Sequence, residues 1–155
     1  MSTEVRPLDL DDGATLDELI ALQRASYRVE ADLLGVDTLP ALTETAWQLR
    51  AGGEAFLGAY DGERLVGAVS WRREGSLLDI HRLVVHPDVF RRGIASRLLD
   101  VLDAEQADAT RTIVATGVTN DPARRLYECR GFRPYDERVT HGGVPVVAYE
   151  RRATA

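Results

Sequence analysis

Apolar and polar positions change their period several times along this chain, and each change marks a new element. Leu16, Leu19, Ile20, Gln23 and Tyr27 share one helical stripe and predict a first helix over about residues 14–29, and Leu42 to Leu49 predict a second. The stretch between them, EADLLGVDTLP, reads as a loop or short helix ended by Pro40. Alternation then takes over. AFLGAY and ERLVGAVSW flank Asp61-Gly62, which suits a two-residue turn with positive φ, so this stretch predicts a β-hairpin. SLLDIHRLVVH follows as a strand long and apolar enough for a sheet centre. Ile94, Leu98, Val101, Leu102 and Glu105 restore the helical period, and RTIVATGV is a short buried strand. Asp121 as N-cap, Pro122 at the first helical position and Gly131 past the end bracket a helix over residues 122–130. Two strands, near 133–140 and 144–151, are joined by His141-Gly142-Gly143.

Composition narrows the classes. The 155 residues show no repeat, linker or low-complexity tract, and are expected to form one domain spanning 1–155. With 45% hydrophobic and 28% charged residues the chain is ordinary for a globular fold, and no apolar run approaches the roughly 20 residues that span a bilayer. The acidic start MSTEVRPLDLDDG lacks the apolar core of a secretory leader, and one cysteine, Cys129, allows no internal disulfide, so a cytoplasmic location is expected. All 19 basic residues are arginine and the net charge is −6. Without lysine there is no Walker A loop, and the global acidity argues against nucleic acid as a partner. RRGIASRLLDVLD would need a preceding helix to act as a DNA-recognition helix, and LLDIHRLVV before it reads as strand.

Two stretches carry candidate chemistry. Arg91-Arg92-Gly93-Ile94-Ala95 opens a helix straight after a strand and turn. Free N–H groups and the positive end of the helix dipole would converge there on an anion, with Gly93 letting the backbone approach and the arginines adding charge. The three-glycine spacing of a dinucleotide-binding turn is missing. Asp79 and His81 share a face of the central strand and are candidate proton acceptors for an amine, the imidazole having an unperturbed pKa of about 6.5. His86 should face the other way, so Asp79, His81, His86 and Asp88 do not close on one ion, and no metal is expected.

The second stretch is NDPARRLYECRGF. Asn120, Ala123, Leu126, Tyr127, Gly131 and Phe132 match the later motif of the GNAT superfamily of acyl-CoA N-acyltransferases, Asn-x-x-Ala-x-x-Leu-Tyr-x-x-x-Gly-Phe. Phe90 to Ala95 resembles that family's phosphate loop, Gln/Arg-x-x-Gly-x-Gly/Ala, and is preceded by Leu83-Val84-Val85-His86-Pro87, which resembles its typical strand end. Phe90 departs from the family's usual Gln or Arg. The resemblance covers roughly residues 76–135. It implies an α/β GNAT fold with a mixed, mostly antiparallel sheet flanked by helices. It further implies transfer of an acetyl group from acetyl-CoA to a primary amine of a small molecule or a protein, by direct attack in a ternary complex. Coenzyme contacts would come from Leu83, Val84, Val85, Arg91, Arg92, Gly93, Ile94, Ala95, Asn120, Ala123 and Tyr127. The backbone N–H of Leu83 or Val85 would face the thioester oxygen, and Tyr127 would protonate the departing thiolate. Asp79 lies near where several members carry an acidic base.

A non-catalytic acyl-CoA-binding sensor is the alternative reading, and a homodimer is compatible with the sequence. Glu30, Asp32, Asp37 and Glu44 cluster where the family often forms its acceptor site, which suits a cationic acceptor or a solvated acidic face. Cys129 has no evident activating partner, and Trp47 and Trp71 are expected in packing roles.

Overall fold

A computed structural model describes residues 3–153. The chain runs β1 (Thr3–Pro7), α1 (Gly13–Leu34), α2 (Pro40–Thr43), α3 (Ala46–Ala51), β2 (Ala55–Asp61), β3 (Arg64–Glu74) and β4 (Leu77–Val85). A 3₁₀ turn at Pro87–Val89 leads to α4 (Ile94–Glu105), β5 (Arg111–Gly117), α5 (Asp121–Cys129), β6 (Arg133–Val139) and β7 (Pro145–Arg152). The seven strands form one sheet in the order β1-β2-β3-β4-β5-β7-β6. Every neighbouring pair is antiparallel except β4 with β5, which are parallel and joined through α4. The mixed, mostly antiparallel sheet flanked by helices is the expected architecture.

Helices cover both faces of the sheet. Leu19, Ile20 and Leu22 of α1 and Leu49 of α3 pack on Phe56, Leu65, Ala68 and Val84 of one face. Ile94, Leu98 and Leu102 of α4 and Tyr127 of α5 pack on Val66, Val69, Ile80 and Val147 of the other. α4 comes close because Gly67 of β3 has no side chain: a Cβ there would sit 2.8 Å from Ile94 Cγ2 and 3.2 Å from Leu98 Cδ1.

Several boundaries differ from those the pattern predicts. α1 runs to Leu34 rather than ending near 29, because Gly35, in the left-handed region at φ 69°, caps it with its N–H on Ala31 and Asp32 carbonyls; Pro40 opens α2 instead of closing a loop. The predicted helix over 42–49 is two short ones. Thr45 and Gln48 form a capping box, the Gln48 N–H donating to Thr45 Oγ1 at 3.1 Å and the Thr45 N–H to Gln48 Oε1 at 2.9 Å, and this restarts the helix at Ala46. The hairpin turn is Gly62-Glu63, with Asp61 still paired to Arg64 and the positive φ, 62°, on Gly62. Asn120, not Asp121, caps α5, its Oδ1 accepting the Ala123 N–H at 3.3 Å. The edge strand β1 has no counterpart in the pattern. Trp71 is buried as expected, whereas Trp47 is 76% exposed.

Gly67→Val should cost about 1–3 kcal/mol, because the added methyls meet Ile94 and Leu98 in a filled core. Urea denaturation measures it, and the same substitution at Gly13, which is open and has no positive φ, is the control for strand-independent effects.

Candidate active site

The site begins where two strands part. β4 and β5 pair at only three positions, Leu77 with Arg111, Leu78 with Thr112 and Asp79 with Ile113. Beyond Asp79 they diverge, so the far half of β4 offers one backbone edge to an open cleft. Which N–H groups point there follows from strand geometry. The His86 N–H donates to the Val66 carbonyl of β3 at 2.8 Å, and N–H directions alternate along an extended strand. The N–H groups of Leu83 and Val85 therefore face the cleft.

A bulge sets the side chains. Opposite Ser70 and Trp71 of β3, β4 supplies Arg82 and Ile80, leaving His81 as one extra residue. The parity of β4 flips there. Leu78 and Ile80 lie against the α4 face, as do Leu83 and Val85, while Val84 is buried beneath α1. Val84, expected at the coenzyme, therefore has its side chain in the opposite core and lines no part of the cleft.

Two cavities meet in this cleft. One, of about 480 Å³, runs between the start of α4 and α5, walled by Leu83, Val85, Phe90, Arg91, Gly93, Ile94, Ala95, Pro122 and Leu126. The other, of about 700 Å³, lies between the end of α1 and strands β5 and β7, and is flanked by residues from the α1–α2 and β6–β7 connections, including Thr38, Leu39 and His141. Glu30, Leu83, Asn120, Ala123 and Tyr127 line both.

The first cavity has an anion-binding end. Arg91 and Gly93 both adopt the left-handed region, at φ 65° and 75°. A non-glycine residue held there stores strain, and left-handed positions on either side of Arg92 turn successive backbone N–H groups inward as a concave nest. α4 starts immediately after, its first helical bond running from the Arg97 N–H to the Gly93 carbonyl, so the N–H groups of Ile94, Ala95 and Ser96 have no partner within the helix. Ile94 contributes only backbone, since its side chain is in the core. Arg91 stands on the cavity wall; Arg92 is exposed and lies outside it, one residue out of step with the nest.

Tyr127 is buried at the junction, its ring edge-on to Phe132 with centroids 5.7 Å apart. Burial, then the neighbouring Glu30 charge and Tyr27, push its phenol well above the usual range, so it stays protonated. Of the candidate bases, His81 lines the second cavity, and its Nε2 is 3.1 Å from Asp79 Oδ2. Asp79 itself sits at the fork and lines neither cavity. Its contact is with the imidazole rather than with the cleft. His86 is occupied separately, Nδ1 accepting the Asp88 N–H at 3.1 Å.

Sequence reasoning missed two features. The first is a polar network around Arg82. Its guanidinium is held by Glu44 through both terminal nitrogens, by Glu54 at 3.0 and 3.1 Å and by Gln23 at 2.7 Å, and Glu54 also accepts from Ser70 Oγ at 2.6 Å. Burial alone would lower the Arg82 pKa, but the hydrogen bonds to Glu44 and Glu54 outweigh it and raise it. Glu44 is thereby spent on structure, while Asp32 and Asp37 are exposed, so the acidic cluster around the first helices does not converge on a substrate. The second is Glu30, the member of that group that faces the cleft. Burial raises its carboxyl pKa, partly offset by a hydrogen bond with the Asn120 side chain. Its signal was its register with Tyr27, one helical turn earlier on α1.

A family model described as an acetyltransferase (GNAT) domain matches residues 34–153. The UPF0157 protein YqkA of Bacillus subtilis strain 168 is 38% identical over 116 residues, covering 75% of this chain and 34% of that protein. The chain thus spans about a third of the length of this curated relative. The crystal structure of the PaiA N-acetyltransferase from Thermoplasma acidophilum in complex with coenzyme A superposes with a TM-score of 0.81 at 20% identity, covering 99% of this chain and 100% of that one. The ribosomal-protein-S18-alanine N-acetyltransferase of Escherichia coli gives 0.77 at 14% identity, covering 97% and 94%.

Arg82→Ala should cost about 3–5 kcal/mol, since it strands Glu54, whose side chain is only 5% exposed, and Glu44 beside it. The Arg82 hydrogen bond holds the Glu44 carboxyl below its ordinary 4.5, so that part of the stability is present above about pH 4.5 and is lost as pH falls through the lowered value. Denaturation followed from pH 7 to pH 3 should accordingly show a shallower acid limb in the variant than in the wild type.

Proposed function

This chain belongs to the GNAT acetyltransferase family, and from that premise we propose that it moves an acetyl group from acetyl-CoA to a primary amine by direct attack in a ternary complex. The observation that carries the proposal is the junction of two cavities at the parting of β4 and β5, where a donor and an acceptor can meet without a covalent enzyme intermediate.

The coenzyme's pyrophosphate belongs at the nest of Arg91 to Ala95 and the start of α4, where backbone N–H groups converge on negative charge. Gly93 suits that approach because nothing lies within 4 Å of where its Cβ would be. The thioester end then lies along Leu83 and Val85. As the amine nitrogen bonds to the carbonyl carbon, charge develops on the oxygen, and the Leu83 and Val85 N–H groups are the fixed donors facing it. The C–S bond breaks toward Tyr127. Because the Tyr127 phenol is raised above its ordinary 10.0 and a free thiol has a pKa of about 8.5, complete proton transfer to the thiolate is uphill. The hydroxyl acts as a hydrogen-bond donor to the departing sulfur, and the thiolate takes its proton on leaving. The amine's proton goes to His81, oriented by Asp79 from behind. The whole stretch 1–155 is read as one such domain, acting in the cytoplasm on a small-molecule or protein amine and needing no metal. Among the described residues no helix is long and apolar enough to cross a membrane.

Calorimetric titration with acetyl-CoA and free coenzyme A tests the donor side. Gly93→Glu, which puts a carboxylate where phosphate belongs, should abolish binding; because any side chain at φ 75° strains this loop, Gly93→Ala, with the same strain and no charge, is the control, and should keep measurable binding. Wild-type protein that binds neither ligand would refute the proposal. Tyr127→Phe should lower kcat by about 10²-fold or more in a thiol-release assay, with the acetyl-CoA Kd changed by less than about threefold.

A further inference from the structure

The last two turns of α1 form the partition between the two cavities. Ser26, Val29 and Leu33 face the donor cavity, Tyr27 and Leu34 face the acceptor cavity, and Glu30 lines both. A carboxylate is thus held where the acyl group would cross, beside Asn120 and Tyr127 of α5 and Tyr27 of its own helix.

The rest of the acceptor cavity is poor in free charge. Its wall is largely apolar, with Val36, Leu39, Pro40, Val114, Val144 and Val146 around it. Among the described residues lining it, the carboxylate and guanidinium side chains are Glu30 and Arg82, with the imidazoles of His81 and His141 beside them. Arg82 is already committed to Glu44, Glu54 and Gln23. It cannot take up a substrate carboxylate without breaking that network. Glu30 is then the one charge in the cavity without a cationic partner, and its complement is an ammonium.

We propose that Glu30 anchors the ammonium of the acceptor at the junction, and that the acceptor is a small primary monoamine with an apolar body. The inference rests on the acyl-transfer reading above and narrows its substrate. An α-amino acid would bring its carboxylate beside Glu30 with no free cation to receive it. A polyamine would bury a second ammonium among valine, leucine and proline with no partner, which is costly. A peptide would bury its backbone N–H and carbonyl groups against this largely apolar wall with few partners, which is costly.

Holding the carboxylate here works against stability. A carboxyl whose pKa is raised on folding destabilises the folded state once the pH exceeds its unfolded value, and the penalty is complete above the folded value. At neutral pH, Glu30→Gln should therefore raise the melting temperature while weakening the acceptor.

The experiment is a thiol-release assay on the full chain with saturating acetyl-CoA, using hexylamine and 2-phenylethylamine beside spermidine, phenylalanine and a peptide with an apolar N-terminal residue. The two monoamines should exceed the other three in kcat/KM by at least about tenfold, and Glu30→Gln should raise the hexylamine KM by about 10- to 100-fold with kcat changed far less. Thr38→Asp, which adds a second carboxylate to the cavity from an exposed position, should lower the KM for 1,6-diaminohexane. Use of spermidine, phenylalanine or the peptide at the level of hexylamine would overturn the acceptor class and leave acyl transfer standing. So would a Glu30→Gln variant that keeps the wild-type KM. Loss of the parent reading looks different: no coenzyme A binding, or no thiol release with any amine, and the inference falls with it.

Discussion

Backbone pairing between β4 and β5 lasts for three residue pairs and then stops, and the rest of the site depends on that interruption. A parallel pair in mid-sheet ordinarily satisfies every N–H and carbonyl between its strands. Here the far half of β4 and the far half of β5 turn those groups toward a cleft instead. The fold tolerates the gap because elements on both sides hold it open. α1 and the β5–α5 connection meet across it, with the Thr119 hydroxyl donating to the Leu33 carbonyl at 3.2 Å. β5 is meanwhile pinned on its other edge by seven pairs with β7. The strands cannot close up, so the backbone donors stay available to a ligand.

The extra residue in β4 makes this opening chemically useful. Inserting His81 reverses which side chains face which layer, so that Leu83 and Val85 border the donor cavity while Arg82 and Val84 turn toward α1. Arg82 would be a liability there without partners. Glu44, just after α2, and Glu54, just before β2, supply them, and together they tie the α2–α3 segment to the bulge. The network is better understood as the fastening of the acceptor cavity's wall than as a recognition site. It also explains why an acidic cluster that looks like a cation site in one dimension is largely consumed by the fold in three.

How much of this the sequence reveals depends on whether the cause is local. The hairpin, the central strand, α4 and α5 announce themselves through periodicity within a single segment, and the nest and the Asn120–Phe132 motif through spacing within one loop and one helix. The Thr45–Gln48 capping box was equally local, and was overlooked because the apolar stripe from Leu42 to Leu49 runs straight through it. β1 is short and polar, an edge strand defined by its pairing with β2 rather than by its own pattern. The bulge leaves only a faint mark in β4 itself, where the adjacent polar pair His81-Arg82 breaks the alternation of LLDIHRLVV; only the register against β3 exposes His81 as supernumerary. Glu30 and Tyr127 are 97 positions apart, and no spacing rule connects them.

Those two residues, on the proposed roles, account for the charge at the junction through the reaction. Dry surroundings push both acids upward, so the tyrosine stays neutral and the glutamate is ionised only at a cost. An ammonium entering the acceptor cavity neutralises Glu30 and removes that cost. When the ammonium gives one proton to His81 and the amine attacks, the positive charge shifts from Glu30 to the imidazole just as negative charge builds on the thioester oxygen and then on sulfur, and the second nitrogen proton passes to water as the intermediate collapses. The Leu83 and Val85 N–H groups and the Tyr127 hydroxyl are neutral donors, able to stabilise that charge without forming an ion pair that would trap it. After the C–S bond breaks, a thiolate and the Glu30 carboxylate face each other across a low-dielectric gap, and their repulsion favours departure of the coenzyme. A carboxylate that destabilises the fold thus attracts one substrate and helps expel one product, a role that a neutral residue at the same position could not fill.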